Sequence, residues 1–142
     1  MSQIKIYVDG GSRGNPGKAA AAFVVIENGK VLTKQGYYIG ERTNNEAEYS
    51  SVIYALRWLS ESKEDYINVQ LFLDSELVTK QLKGQYKMKS KNLMPLLKEA
   101  RFLEKKISSK VTYKNIPREE NRLADRMVNK VLDTEQIIID EK

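Results

Sequence analysis

The sequence contains no cysteine and no histidine. Without cysteine there is no disulfide framework, no thiolate metal site and no thiol nucleophile. Without histidine, Ser-His-Asp catalysis, histidine-ligated zinc and imidazole acid/base chemistry are excluded together. Long apolar runs are missing as well. No stretch approaches the roughly 18 residues that a membrane helix needs, and Met1-Ser2-Gln3-Ile4-Lys5 lacks the basic and apolar regions of a signal peptide. The expectation is a cytoplasmic protein with no membrane association. Any hydrolytic chemistry is left to carboxylates, hydroxyls, Lys/Arg or a bound cation.

What is present reads as a folded chain. Its 142 residues are 41% hydrophobic and 30% charged, which favours a globular domain over disorder. The length suits one domain over 1–142, with 133–142 as a C-terminal tail. Lys and Arg number 24 against 19 acids, a net +5 that makes a polyanionic partner worth testing.

Ile4–Val8 alternates and predicts a strand, ended by the glycine-rich run Asp9–Gly17. Ala20–Ile26 and Val31–Ile39 predict two more, joined across Asn28-Gly29, a strong hairpin signal. At Thr43 the period changes: Tyr49, Val52, Ile53, Leu56 and Leu59 recur at helical spacing, with Thr43 or Asn44 as N-cap. Tyr54 and Trp58, on that helix, read as packing residues. Ile67–Leu73 reads as a buried central strand and Glu76–Leu82 as a short helix. A helix over 92–106, a strand over Lys110–Ile116 and a helix over Glu120–Leu132 complete the order βββαβααβα. The fold class is therefore α/β, a mixed five-stranded sheet flanked by helices. Three consecutive isoleucines at 137–139 rarely stay solvated, so the tail is expected to dock on the body or add as an edge strand.

The informative acids sit at the ends of elements. Asp9 ends the first strand, Asp74 ends the fourth, Glu46 and Glu48 open the first long helix, and Asp125 lies early in the last. If strands one and four are neighbours, Asp9 and Asp74 meet at one sheet edge. Such a cluster is costly through like-charge repulsion unless a hard divalent cation reverses the balance, and Mg²⁺ is held by a few carboxylates plus substrate phosphate oxygens. Taken singly, each acid also has the ordinary reading of a turn, cap or helix-dipole residue. At about 100° per residue, Glu46 and Glu48 flank the apolar stripe at similar angles, so helix geometry does not choose between them.

Four blocks carry a resemblance: Asp9-Gly-Gly-Ser-Arg-Gly-Asn-Pro-Gly17, Thr43-Asn-Asn-Glu-Ala-Glu-Tyr49, Leu73-Asp-Ser-Glu-Leu-Val78 and Arg118-Glu-Glu-Asn-Arg-Leu-Ala-Asp125. In that order and on those elements, over about residues 3–132, the chain resembles type 1 ribonuclease H. The resemblance implies an RNase H-like fold and an endonuclease that hydrolyses the RNA strand of RNA–DNA hybrids, leaving 5′-phosphate and 3′-hydroxyl ends. It implies two Mg²⁺ ions, with Mn²⁺ as substitute, on Asp9, Glu48, Asp74 and Asp125; the Asn-Asn-x-x-Glu block selects Glu48. It also implies substrate contacts by Asn15, Asn44 and Asn45, whose amides both donate and accept as a 2′-hydroxyl does. The acid-free lysines around Lys87 and Lys89 suit phosphate positioning.

The chain departs from the family in three ways. The loop before the last helix offers Arg118 where many members carry an imidazole, and arginine binds phosphate without shuttling protons. Glu76 stands where many members have glutamine, which alters a substrate contact from donor and acceptor to acceptor alone. The stretch from Gly84 to Asn92 is short for the family's extra helix. These features resemble the minimal, histidine-less archaeal and bacterial subset, some members of which act on double-stranded RNA as well. The expected form is a monomer. The alternative from another class is an RNase H-like nucleic-acid-binding or accessory module with little or no turnover.

Overall fold

The computed structural model describes residues 2–141. Three long antiparallel strands open the chain: β1 (Ser2–Gly14), β2 (Gly17–Glu27) and β3 (Lys30–Arg42). They lead to α1 (Asn44–Glu61), β4 (Tyr66–Leu73), α2 (Glu76–Leu82), α3 (Met94–Lys106) and β5 (Lys110–Asn115). A 3₁₀ turn over Arg118–Glu120, α4 (Arg122–Thr134) and β6 (Ile138–Glu141) complete it. The sheet order is β5-β4-β1-β2-β3-β6. β4 lies parallel to both β1 and β5, as helix crossovers require, and the other pairings are antiparallel.

The sheet has six strands where the sequence reading gives five. The sixth is the isoleucine tail. Ile138 and Ile139 pair with Gly36 and Gln35 of β3, and Ile138 packs on the small apolar cluster beneath α4. The edge-strand expectation for the tail therefore holds and the strand count does not.

A second difference concerns β1. The glycine-rich run predicts an end after Val8, yet the strand continues to Gly14, paired through Asp9↔Ala22 to Gly14↔Gly17. Glycine serves here because α1 docks against the strand backbone. A Cβ on Gly10 would lie 2.0 Å from the Ala47 carbonyl oxygen. The ladder to β2 supplies the hydrogen bonds that keep this stretch extended.

The main core fills the space between one sheet face and α1, α2 and α3. Ile6, Val8, Phe23, Leu71 and Leu73 meet Tyr49, Val52, Leu56, Val78 and Leu103. Tyr54 stacks on Tyr37 at 4.2 Å and Trp58 lies 6.5 Å from Phe23, both as packing partners. On the other face α4 lays Met127, Val128, Val131 and Leu132 over Ala20 and Ala22. Gly36 lets it come close, since a Cβ there would lie 2.6 Å from Val131. α4 covers only part of that face, and the β1/β4/β5 half stays open beside Lys5, Gln70 and Lys110. No helix among the described residues is long and apolar enough to cross a membrane.

Candidate active site

Parallel pairing of β1 with β4 runs Ile6↔Leu71 and Tyr7↔Phe72, so Asp9 and Asp74, two positions further along each strand, lie side by side where β4 ends. α1 supplies the third acid. Its first turn is closed by a capping box: Thr43 Oγ1 accepts from Glu46 N–H at 3.1 Å, and Glu46 Oε1 accepts from Thr43 N–H at 2.9 Å. That contact holds Glu46 at the helix start. Glu48, two residues on, is buried and accepts from Gly10 N–H at 2.9 Å. The close approach at Gly10 thus brings Glu48 to Asp9.

One oxygen each from Asp9, Glu48 and Asp74 lie within 4.8 Å of one another. Asp125, in the first turn of α4, contacts Asp9 from the other side, and Arg118 reaches Asp125 at 3.7 Å with its own side chain mostly in solvent. Burial and then the charges of Asp74 and Asp125 push Asp9 up to about 8. Burial, followed by Asp9 and Asp74, raises Glu48 well above the carboxylate range, against the backbone N–H groups of Gly10 and Ser75. Ser75, whose hydroxyl accepts from Val78 N–H at 3.2 Å, is the N-cap of α2, so Asp74 is spared the capping role that its position allowed.

These groups fit a hard divalent cation. The donors are carboxylate oxygens, they converge, and Arg118 compensates the cluster only from its exposed rim. The cluster lines a concavity of about 330 Å³ with Asn44, Asn45, Ser75, Arg118 and Asp125. The larger hollow on the open sheet face, about 650 Å³, has no carboxylate among its described lining residues, so size does not mark the site.

The asparagines form a chain at its border. Asn15 Oδ1 accepts from Asn44 N–H at 3.0 Å, and Asn44 Oδ1 accepts from Ser12 N–H at 2.9 Å. Both amide oxygens are thereby spent on backbone, and the NH₂ groups carry the remaining donors. Asn45 lines the acidic concavity and also a second one of about 270 Å³ with Asn15, Thr43, Ser90 and Asn92. Ser90 and Asn92 escape a reading of the sequence because polar residues in an irregular stretch give no periodic signal.

Three anticipated contacts lie outside the carboxylate cluster. Glu76 pairs with Lys80 at 2.7 Å on α2, which lowers its pKa and spends its charge there. Lys87 and Lys89 are exposed on the segment between α2 and α3, where no helix forms between Lys83 and Leu93. Asn121 stands within the last of the four sequence blocks with no role assigned to it there; it is buried, and its Nδ2 donates to Val8 O at 2.8 Å and to Asp74 Oδ2 at 3.1 Å.

Comparison with known proteins places this geometry. Residues 7–131 match the family model described as reverse transcriptase-like. Bifunctional protein Rv2228c of Mycobacterium tuberculosis is 35% identical over 92% of this chain, which spans 36% of that protein. Ribonuclease HI of Halobacterium salinarum is 36% identical over 92% of this chain, which spans 65% of that relative. The crystal structure of RNase H1 from the same archaeon superposes with a TM-score of 0.86 at 35% identity, covering 93% of this chain and 98% of that one. LC11-RNase H1, solved in complex with an RNA/DNA hybrid, gives a TM-score of 0.88 at 37% identity over 93% of this chain and 98% of its own. The chain spans about a third of the mycobacterial relative, but nearly all of the two solved domains. With its sheet order, its ordered motifs and its acidic cluster, this chain belongs to the type 1 ribonuclease H family.

Proposed function

We propose that this protein hydrolyses the RNA strand of RNA–DNA hybrids, leaving 5′-phosphate and 3′-hydroxyl ends. The observation that carries the reading is the convergence of Asp9, Glu48 and Asp74 within 4.8 Å, with Asp125 beside them. These four would hold two Mg²⁺ ions, or Mn²⁺ in their place, which supply the charge that eases deprotonation of water and stabilises the leaving oxygen. Asp9 and Asp74, from adjacent strands, form the rigid centre. Glu48 and Asp125, from α1 and α4, complete the donor set.

Substrate recognition falls to the border. With their oxygens engaged by backbone, Asn15 and Asn44 present NH₂ donors, which suit the acceptors of a minor groove and the oxygen of a 2′-hydroxyl. Asn45 lies between the two concavities and is placed to contact one strand while the carboxylates act on the other. Arg118, at the rim, adds a phosphate contact. Lys87 and Lys89 track the backbone from outside, acting as charge with no fixed geometry. Glu76, spent on Lys80, contributes at most an acceptor at the edge.

The deciding experiment is a cleavage assay on matched hybrid, double-stranded RNA and single-stranded RNA with Mg²⁺ or Mn²⁺, with Asp74→Asn as control. The reading expects cleavage within the hybrid by wild type and none by the variant. Equal products from both would overturn the carboxylate assignment. Hybrid binding without cleavage at any metal concentration would instead identify an accessory module.

A further inference from the structure

We infer that Asn121 is a positioning residue of this site, which fixes the Asp74 carboxylate and the start of α4 in one register with β1. The inference rests on the proposed metal-carboxylate reading and adds to it a residue that is not itself a metal donor.

Asn121 occupies the N-cap of α4, where an asparagine side chain ordinarily accepts from the backbone N–H groups of the first turn. Here it makes no capping bond. Its NH₂ group is directed away from the helix, to Val8 O at 2.8 Å and Asp74 Oδ2 at 3.1 Å. The residue is 1% exposed, and its buried Oδ1 has no hydrogen-bond partner among the described residues. Burying a polar atom unpartnered is unfavourable, and native folds rarely leave one so. Rotating the amide would not relieve it, because Oδ1 would then face two acceptors, the Val8 carbonyl and the Asp74 carboxylate.

The arrangement thus forgoes a helix cap and places two donors on β1 and Asp74 instead. One donor ties the start of α4, whose first turn carries Asp125, to β1 a single residue before Asp9. The other holds Oδ2 of Asp74, whose carboxylate has an oxygen within 4.8 Å of those of Asp9 and Glu48. Neighbours that orient ligating carboxylates in this way typically tune metal affinity by about 10–100-fold.

The test uses the full chain with Asn121→Leu, which keeps most of the volume, and Asn121→Ala. Mn²⁺ affinity is read by calorimetry, hybrid affinity by fluorescence anisotropy without metal, and turnover as a function of metal concentration. The expected result is Mn²⁺ affinity weakened about 10-fold or more, metal-free hybrid affinity unchanged, and turnover restored toward wild type at high metal. A residue that merely supports the fold would not give that restoration. Mn²⁺ affinity within twofold of wild type in a folded variant overturns the inference, as does a loss of turnover that no metal concentration recovers. If wild type itself takes up no Mn²⁺, the underlying site reading fails, and that outcome is visible before any variant is made.

Discussion

Thr43 and Glu46 satisfy each other's backbone N–H groups across the first turn of α1, and this reciprocal contact leaves Glu48 as the acid that turns inward to Asp9. The two glutamates are two residues apart and of equal chemistry, yet one serves the helix and the other the site. Replacing Glu46 by Ala should cost about 0.5–1 kcal/mol of stability, read by urea denaturation, with hybrid cleavage retained. Glu48→Gln should keep the fold and lose at least about 100-fold in turnover, as removal of a group that organises transition-state charge does. The reverse pattern would exchange their roles.

That choice marks what is legible in the sequence and what is not. Helical phase leaves Glu46 and Glu48 equivalent, but Thr43-x-x-Glu46 is itself a capping-box signature, and read as such it already assigns Glu46. Asp9 and Asp74 are legible because strand ends are visible as breaks in alternation, and the crossover rules make β1 and β4 parallel neighbours. Asn121 is not, because its role depends on a carbonyl 113 positions away and on Asp74. The extension of β1 through its glycines is hidden for a similar reason. Glycine argues against a strand locally, and only the contact with Ala47 on α1 shows why it is needed.

Gly10 is accordingly the position where fold and site share one constraint. A methyl group there meets the Ala47 carbonyl at 2.0 Å, and the Glu48 backbone nitrogen beside it at 2.5 Å leaves no way to give. Gly10→Ala should destabilise the chain by about 3 kcal/mol or more and lower metal affinity together with it. Gly29→Ala, at a hairpin tip with open space but a positive φ of 77°, should cost only about 1 kcal/mol and leave metal binding unchanged. Thermal melts with and without Mn²⁺ separate the two.

The tail makes a purely structural prediction. Ile138 is half-buried against the cluster beneath α4, and β6 covers the outer edge of β3 from Thr33 to Gly36. Ending the chain at residue 136 should lower stability by about 1–3 kcal/mol and promote self-association through the uncovered edge. Cleavage at low temperature should persist, since β6 lies at the opposite side of the sheet from β4. Light scattering and melting curves provide the check.

The Asp9 titration predicts how metal and pH act on stability. Its folded value is raised from 3.8 to about 8, so its contribution favours the folded chain fully below about pH 4 and is lost as pH rises toward 8. Glu48 moves in the same direction. A bound cation offsets the repulsion that appears as these groups ionise, and at acid pH it must first displace their protons. Mg²⁺ should therefore raise the melting temperature more at pH 8.5 than at pH 5. Asp9→Asn should raise the metal-free melting temperature at pH 8.5 by about 5 °C and abolish most of the Mg²⁺ effect. Equal Mg²⁺ shifts at the two pH values would show that protons and metal do not compete for this cluster.

The lysines between α2 and α3 separate phosphate tracking from an ordinary solvated surface. Lys80 is not a free charge, being held by Glu76 at 2.7 Å and lying against Tyr86, so the exposed run begins at Lys83 and includes Lys87, Lys89 and Lys91. If these ammonium groups neutralise phosphates, their counterion release contributes directly to the salt dependence of hybrid binding. Replacing Lys87, Lys89 and Lys91 together by Ala should raise KM and leave turnover at saturating hybrid nearly unchanged. It should also flatten the log–log salt slope by up to about 0.7–0.9 for each phosphate that is no longer neutralised. Lys5→Ala with Lys110→Ala, on the open half of the sheet, removes two charges of the same sign away from the carboxylates and should leave that slope as it is. A matching change in both variants would assign the effect to net charge alone, and the position of the lysines would then carry no meaning for binding.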